Sequence, residues 1–139
     1  MEAVAWFTHK YVMHGILWSL HEDHHVKGLR KKLFEKNDLF GVFFALISMG
    51  LIIHGAQGFK YTFFLGLGAA AYGVAYVLFH DIFVHRRVDI LKTSRIPYLN
   101  TLRRAHHTHH LVITKEGAKL FGFFFVSPRY LRDSYKKKE

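Results

Sequence analysis

The sequence predicts an all-α integral membrane protein: a central transmembrane hairpin carrying a cytoplasmic, histidine-rich di-metal cap. Three observations predict it. Two runs, residues 39–59 and 61–79, hold no Asp, Glu, Lys or Arg. Each is about the twenty residues needed to cross a bilayer core of roughly 30 Å. The chain is 50% hydrophobic and 17% aromatic, yet carries 20 Lys and Arg against 10 Asp and Glu, a balance that suits a small membrane protein with basic loops. Ten of the 12 histidines fall into four short blocks.

The first element is a helix expected over residues 2–20. His9, Lys10 and His14 interrupt its apolar face, and too few residues precede His9 to span a bilayer. Either it enters the membrane only partly, or an apolar stretch upstream of it belongs to the same helix. The tract from Lys27 to Lys36 reads as a solvated basic loop or short helix. The two long runs follow, separated by Lys60 beside Gly55 and Gly58, which reads as a tight turn. Gly66 and Gly68, inside the second run, suit close helix packing. Neither run has a polar face, which argues against a soluble bundle. The run from Leu120 to Val126 is too short to cross and reads as core packing, or as an interfacial or substrate-facing segment. The tail, residues 129–139, is basic and suits an anionic leaflet. A single membrane domain covers residues 1–139.

The hairpin fixes a topology. If residues 39–59 cross outward and 61–79 return, residues 38 and 80 share one side. The histidine blocks before and after the hairpin then meet at one membrane face. Of the 20 Lys and Arg, only Lys60 lies at the far turn. The positive-inside rule makes the histidine face cytoplasmic, in a multi-pass protein of the cell inner membrane.

The blocks read His9-x4-His14, His21-x2-His24-His25, His80-x4-His85 and His106-x2-His109-His110. An x4 pair followed by an x2 triplet thus occurs twice. Neutral imidazole is the commonest side-chain metal ligand. Ten ligands are too many for one ion and suit two ions with about five each. In the triplets, positions i, i+3 and i+4 share a helix face, and His14, His21 and His25 also align at about two turns. The x4 pairs fit less simply, because positions i and i+5 point roughly 140° apart on an α-helix. They converge only if the helix ends, carries a π-bulge, or ligates from two sides. His54 reads as a helix-buried or headgroup-level residue. His107 points away from His109 and His110. Glu22, Asp23 and Asp81 flank the blocks and are candidates to accept the imidazoles' other N–H groups.

There is no cysteine, which excludes disulfides, Cys-ligated zinc, an intrinsic iron–sulfur cluster and covalent haem. No glycine-rich nucleotide motif, cleavable secretory signal or transit peptide is evident. The basic residues flank membrane runs rather than forming a groove, so nucleic acid is not an expected partner. A histidine-rich dinuclear centre at a membrane surface suits oxygen insertion into a lipid C–H bond.

The blocks resemble those of the fatty acid hydroxylase and sterol desaturase superfamily of membrane non-haem di-iron enzymes. The strings from His9 to Gly15, Glu35 to Leu39, Phe79 to Arg86, Arg104 to His110 and Lys115 to Gly117, with the Phe-Gly-Phe that follows, resemble bacterial β-carotene 3-hydroxylases. The resemblance covers nearly the whole chain. Members usually have a longer apolar N-terminal segment before the first block. The resemblance implies hydroxylation of β-ionone rings at C3, taking β-carotene to β-cryptoxanthin and zeaxanthin with O2 and ferredoxin electrons. It implies two iron ions held by His9, His14, His21, His24, His25, His80, His85, His106, His109 and His110. Zinc competes for the same nitrogen ligands. The blocks alone also fit a fatty acyl or sterol hydroxylase or desaturase, or a carotenoid ketolase. A non-catalytic metal-binding or bis-histidine haem protein is the reading of a different class, although haem uses only two axial ligands.

Overall fold

The computed structural model describes residues 1–26, 34–88, 94–128 and 130. Most of the basic tract 27–36, and the tail 129–139 apart from residue 130, lie outside the described residues. The described residues are helical, with no strand among them. Helix α1 (Glu2–Phe7) runs into a π-helical segment, Thr8–Ile16. Helix α2 spans Trp18–His25, α3 spans Asp38–Ala56 and α4 spans Tyr61–Tyr76. Helix α4 continues into a second π-helical segment, Val77–Val84, and α5 spans Pro97–His109.

Helices α3 and α4 form the expected hairpin and pack mainly on each other. Asp38–Ala56, and α4 with its π-helical extension to Val84, are both long and apolar enough to cross a membrane. Only 11% of the most apolar stretch of each is buried within the protein, so these are not core helices of a soluble fold. Leu39, Phe43, Ile53, Phe64 and Val74 are all exposed. Surfaces this apolar call for a lipid or protein partner rather than water. The turn closes through Gly58 (φ +80°) and Phe59 (φ +49°). The Lys60 N–H donates to the Gly55 carbonyl at 3.0 Å.

Small residues set the spacing of the hairpin. A Cβ on Gly66 would lie 2.8 Å from the Ile52 nitrogen and the Ser48 carbonyl oxygen of α3. Ser48 Oγ donates across the pair to the Gly66 carbonyl at 2.7 Å. Gly66 thus performs the packing expected of it. Gly68 does not: a Cβ there would meet nothing within 4 Å, because that face of α4 points outward.

The expected single helix over residues 2–20 is broken. Gly15 leaves helical geometry (φ −114°, ψ −112°), and Leu17 (φ −111°, ψ 32°) separates the π-helical segment from α2. The chain turns there, so α2 folds back against the segment that precedes it. Helix α5 begins with Pro97 at its first turn, where a missing N–H costs nothing. Its buried residues Leu102, Ala105, His106 and His109 follow the i, i+3, i+4, i+7 stripe of a core-facing helix.

The segment after α5 is irregular and aromatic, and Glu2 organises it. One oxygen of Glu2 accepts the N–H groups of Phe123 and Phe124 at 2.7 and 2.9 Å, and of Phe125 at 3.2 Å. Its other oxygen accepts the Tyr72 hydroxyl at 2.6 Å. One carboxylate therefore ties the start of α1, the 121–125 segment and α4 together. Glu2→Ala is expected to cost about 3 kcal/mol, the upper end for a hydrogen bond to a charged group. Thermal unfolding of detergent-solubilised protein reads this, and an unchanged midpoint would rule out the anchoring role.

Candidate metal centre

The histidine blocks meet at the base of the hairpin. Nine of the ten block histidines fall into two groups: His9, His14, His21, His25 and His109, and His24, His85, His106 and His110. The tenth, His80, places Nε2 at 3.1 Å from Nε2 of His106. His54 and His107 are exposed and outside both groups.

The grouping crosses the sequence blocks. Each cluster takes one x4 pair, the outer two histidines of the triplet that follows it, and the middle histidine of the other triplet. His24 belongs with the second cluster and His109 with the first. Helix geometry explains the split. Positions i and i+4 lie roughly 40° apart, whereas i+3 lies roughly 100° from i+4. A triplet therefore shares one broad helix face and still serves both clusters. The clusters share a wall, with the rings of His25 and His110 stacked at 4.4 Å.

The x4 pairs are reconciled by π-helix. Both lie on π-helical turns, where bonds run between residues five apart. The His85 N–H itself donates to the His80 carbonyl at 2.9 Å, and the Leu17 N–H to Val12 at 2.9 Å. On such a turn, residues five apart come back to one side, which an α-helix denies them.

Hydrogen bonds fix the imidazole tautomers of the first cluster. His9 Nδ1 donates to the Phe121 carbonyl at 2.9 Å and His14 Nδ1 to Lys115 at 3.1 Å. His25 Nδ1 donates to Val112 and His109 Nδ1 to Lys119, both at 2.8 Å. His21 Nδ1 donates to Asn37 Oδ1 at 2.7 Å. A neutral imidazole carries one N–H, so all five Nε2 atoms present lone pairs. Burial keeps these rings neutral. It drives His25 down to about 4 and His109 to about 3. It takes His21 to about 2.

Those lone pairs face one another. Nε2 of His9 lies 3.1 Å from that of His21, and His14 lies 3.1 Å from His25 and 3.2 Å from His109. With every proton already on Nδ1, such pairs cannot be hydrogen bonds. Inward-facing lone pairs at this spacing fit a cation. Two nitrogens at right angles around an ion, each bonded at roughly 2.1 Å, are about 3.0 Å apart. The donor set is nitrogen throughout, which suits a first-row transition metal rather than calcium or magnesium.

In the second cluster, Nδ1 of His24 and of His80 donates to a carboxylate, so their Nε2 atoms present lone pairs too. Nε2 of His106 lies 2.8 Å from that of His85 and 2.8 Å from that of His110. Nε2 of His24 is buried with no hydrogen-bond partner. A buried lone pair with no donor is costly unless a ligand takes it. Burial, then the charge of Arg87, lowers His85 to about 3. His21, His25, His80 and His109 are each 1% exposed or less, so a solvated histidine-rich surface does not describe them.

Of the flanking carboxylates, Asp81 accepts from His80 Nδ1 at 2.7 Å. Asp23 instead accepts the Lys36 N–H, and Glu22 is exposed on α2. Glu35 and Asn37 are the anchors that flank reasoning missed. Glu35 Oε2 accepts from His24 Nδ1 at 2.7 Å. Both residues lie eleven or more positions from the histidines they hold, so adjacency in sequence gives no sign of them. The polar string Glu35 to Asp38, set directly before an uncharged run, is the signal that was there. The aromatic segment covers the site. Phe121 packs on His9, His14 and His109, and Phe123, two residues on, packs on His80 and His106. Tyr76 stacks on His80 at 4.3 Å.

Comparison with known proteins finds close relatives. A beta-carotene hydroxylase of Pseudescherichia vulneris is 44% identical over 126 residues, which is 91% of this chain and 70% of that protein. A beta-carotene hydroxylase of Pantoea ananas is 43% identical over 128 residues, 92% of this chain and 72% of that protein. A chloroplastic beta-carotene 3-hydroxylase of Arabidopsis thaliana is 36% identical over 137 residues, 96% of this chain and 43% of that longer protein. No protein-family model matches the chain, and no solved structure does.

Proposed function

The chain belongs to the β-carotene hydroxylases, and we propose that it hydroxylates the β-ionone rings of β-carotene at C3, giving β-cryptoxanthin and then zeaxanthin. The relatives' names support the substrate class, and the name of the Arabidopsis relative supports the ring position. The observation that carries the reading is the pair of histidine clusters, with Nε2 lone pairs turned inward throughout the first. Residues 1–139 act as one domain. The ten block histidines hold two ions, which we take to be iron. When bound, these ions supply a redox-active centre with open positions, able to use O2 to oxygenate a C–H bond.

The chain's own residues do the rest. Backbone carbonyls of the 112–121 segment, with Asn37, Glu35 and Asp81, hold seven of the ten imidazoles in one tautomer and orientation. Phe121 and Phe123 exclude water from the clusters. Tyr72, Tyr76, Phe79 and Phe124 form an aromatic group between the lipid-facing part of α4 and the second cluster. A ring-ended hydrocarbon lying along the hairpin meets this group before it meets the histidines. The hairpin crosses the inner membrane twice, with the histidines on the cytoplasmic face. Lys and Arg on that face attract an acidic electron donor of ferredoxin type, in the way charged surfaces steer association.

The test is expression in a bacterium that makes β-carotene, followed by pigment extraction. Zeaxanthin or β-cryptoxanthin is expected, with β-carotene unchanged when His25 is Ala. Unchanged β-carotene with the wild-type chain present in the membrane would refute the substrate. A ketolated carotenoid, or a hydroxylated acyl lipid in its place, would identify the alternative substrate.

A further inference from the structure

The two clusters are built alike but held differently. In the first, Nδ1 donates to neutral acceptors throughout: four backbone carbonyls and the Asn37 amide oxygen. In the second, His24 and His80 donate to carboxylates, Glu35 and Asp81. These two carboxylates come from distant parts of the chain and meet at one side chain. Arg87 Nη2 lies 2.9 Å from Glu35 Oε2, and Nη1 lies 2.7 Å from Asp38 Oδ1. Arg87 Nε lies 3.9 Å from Asp81 Oδ1, and its backbone N–H donates to the Asp81 carbonyl at 3.0 Å.

Resting on the two-ion reading above, we propose that Arg87 is a positioning residue that makes the two metal sites unequal. It holds Glu35 on His24 by a hydrogen bond and draws Asp81 toward His80 by charge at 3.9 Å, so that the second cluster binds a divalent transition-metal ion more tightly than the first. A carboxylate that accepts an imidazole N–H raises the basicity of the other nitrogen, and a carbonyl does so less. The guanidinium charge opposes a cation nearby. Glu35, Asp38 and Asp81 outnumber it, so that side of the second cluster is net negative. Without Arg87, three neighbouring carboxylates repel and lose their geometry. The planar guanidinium fork engages several carboxylates at fixed angles, whereas lysine offers a point charge.

The experiment is a Co2+ titration of the purified, metal-free full chain in detergent, read by d–d absorption and by metal per chain. The wild type is expected to take two Co2+ at separable affinities, with the tighter step lost in His85→Ala. Arg87→Gln is expected to weaken the tighter step by roughly 10–100-fold, the usual effect of an outer partner of a ligand, and to leave the weaker step unchanged. Arg87→Lys recovers part of the loss. In the converse variant, Asn37→Asp gives His21 a carboxylate and is expected to tighten the weaker step, narrowing the gap. Equal weakening of both steps by Arg87→Gln, or no change in either, overturns the proposal. If Arg87→Gln yields no folded protein, Asn37→Asp decides, and an unchanged gap overturns it. Fewer than two Co2+ on the wild type contradicts the two-ion reading itself, and the proposal falls with it.

Discussion

His109→Ala is expected to abolish metal uptake at the first cluster while the second still binds. A block-by-block reading of the sequence gives the opposite result, because His109 stands beside His110 and three residues after His106. In the structure its Nε2 lies 3.2 Å from that of His14, and its ring is fully buried against the 9–25 side of the site. His24→Ala is the mirror case and is expected to affect only the second cluster. Both variants are expected to lose hydroxylation by more than the roughly 10–100-fold that changing an outer partner costs. Metal per chain and hydroxylated carotene per mole of protein read the two effects. His107→Ala, on an exposed position in the same block, is expected to change neither. Loss of the second site in His109→Ala would refute the crossed arrangement.

The second large effect lies far from the histidine clusters. Gly66→Leu is expected to force α3 and α4 apart, because the first carbon added at Gly66 already meets the backbone of Ser48 and Ile52. Backbone cannot move aside as a side-chain end can. Overpacking of this kind costs about 1–3 kcal/mol, and more where backbone must shift. The buried bond from Ser48 to the Gly66 carbonyl is lost as well. Less folded protein is expected on extraction into detergent, with a lower unfolding midpoint by circular dichroism. Gly68→Leu, on the outward face, is the matched control and is expected to behave as wild type.

Much of this was legible in the sequence, for identifiable reasons. The hairpin could be read because a span must be long and uncharged, and residues 39–59 and 61–79 satisfy that without reference to anything else. Convergence of the blocks followed from the hairpin's return. The exchange of His24 and His109 was not legible, because it depends on how three helices cross. Nor could the break at Gly15–Leu17 be read, since helix-compatible residues flank it on both sides. The string holding Glu35 and Asn37 was visible but its partners were not, because hydrogen bonds to Nδ1 are long-range in the chain. Four of the anchors are backbone carbonyls, whose role no residue type reports. The π-helical turns were legible only as a geometric demand, since an x4 pair cannot converge on an α-helix.

The most direct test of oxygen activation at this centre uses 18O2. Purified chain, loaded with two Fe2+ and given β-carotene in nanodiscs with an external reductant, is allowed to turn over and the pigments are analysed by mass spectrometry. One 18O atom in each new ring hydroxyl, absent with His109→Ala, is the result expected. Hydroxyl oxygen drawn from water, or equal 18O incorporation by the His109→Ala protein, would contradict the assignment of this centre as the site of the chemistry.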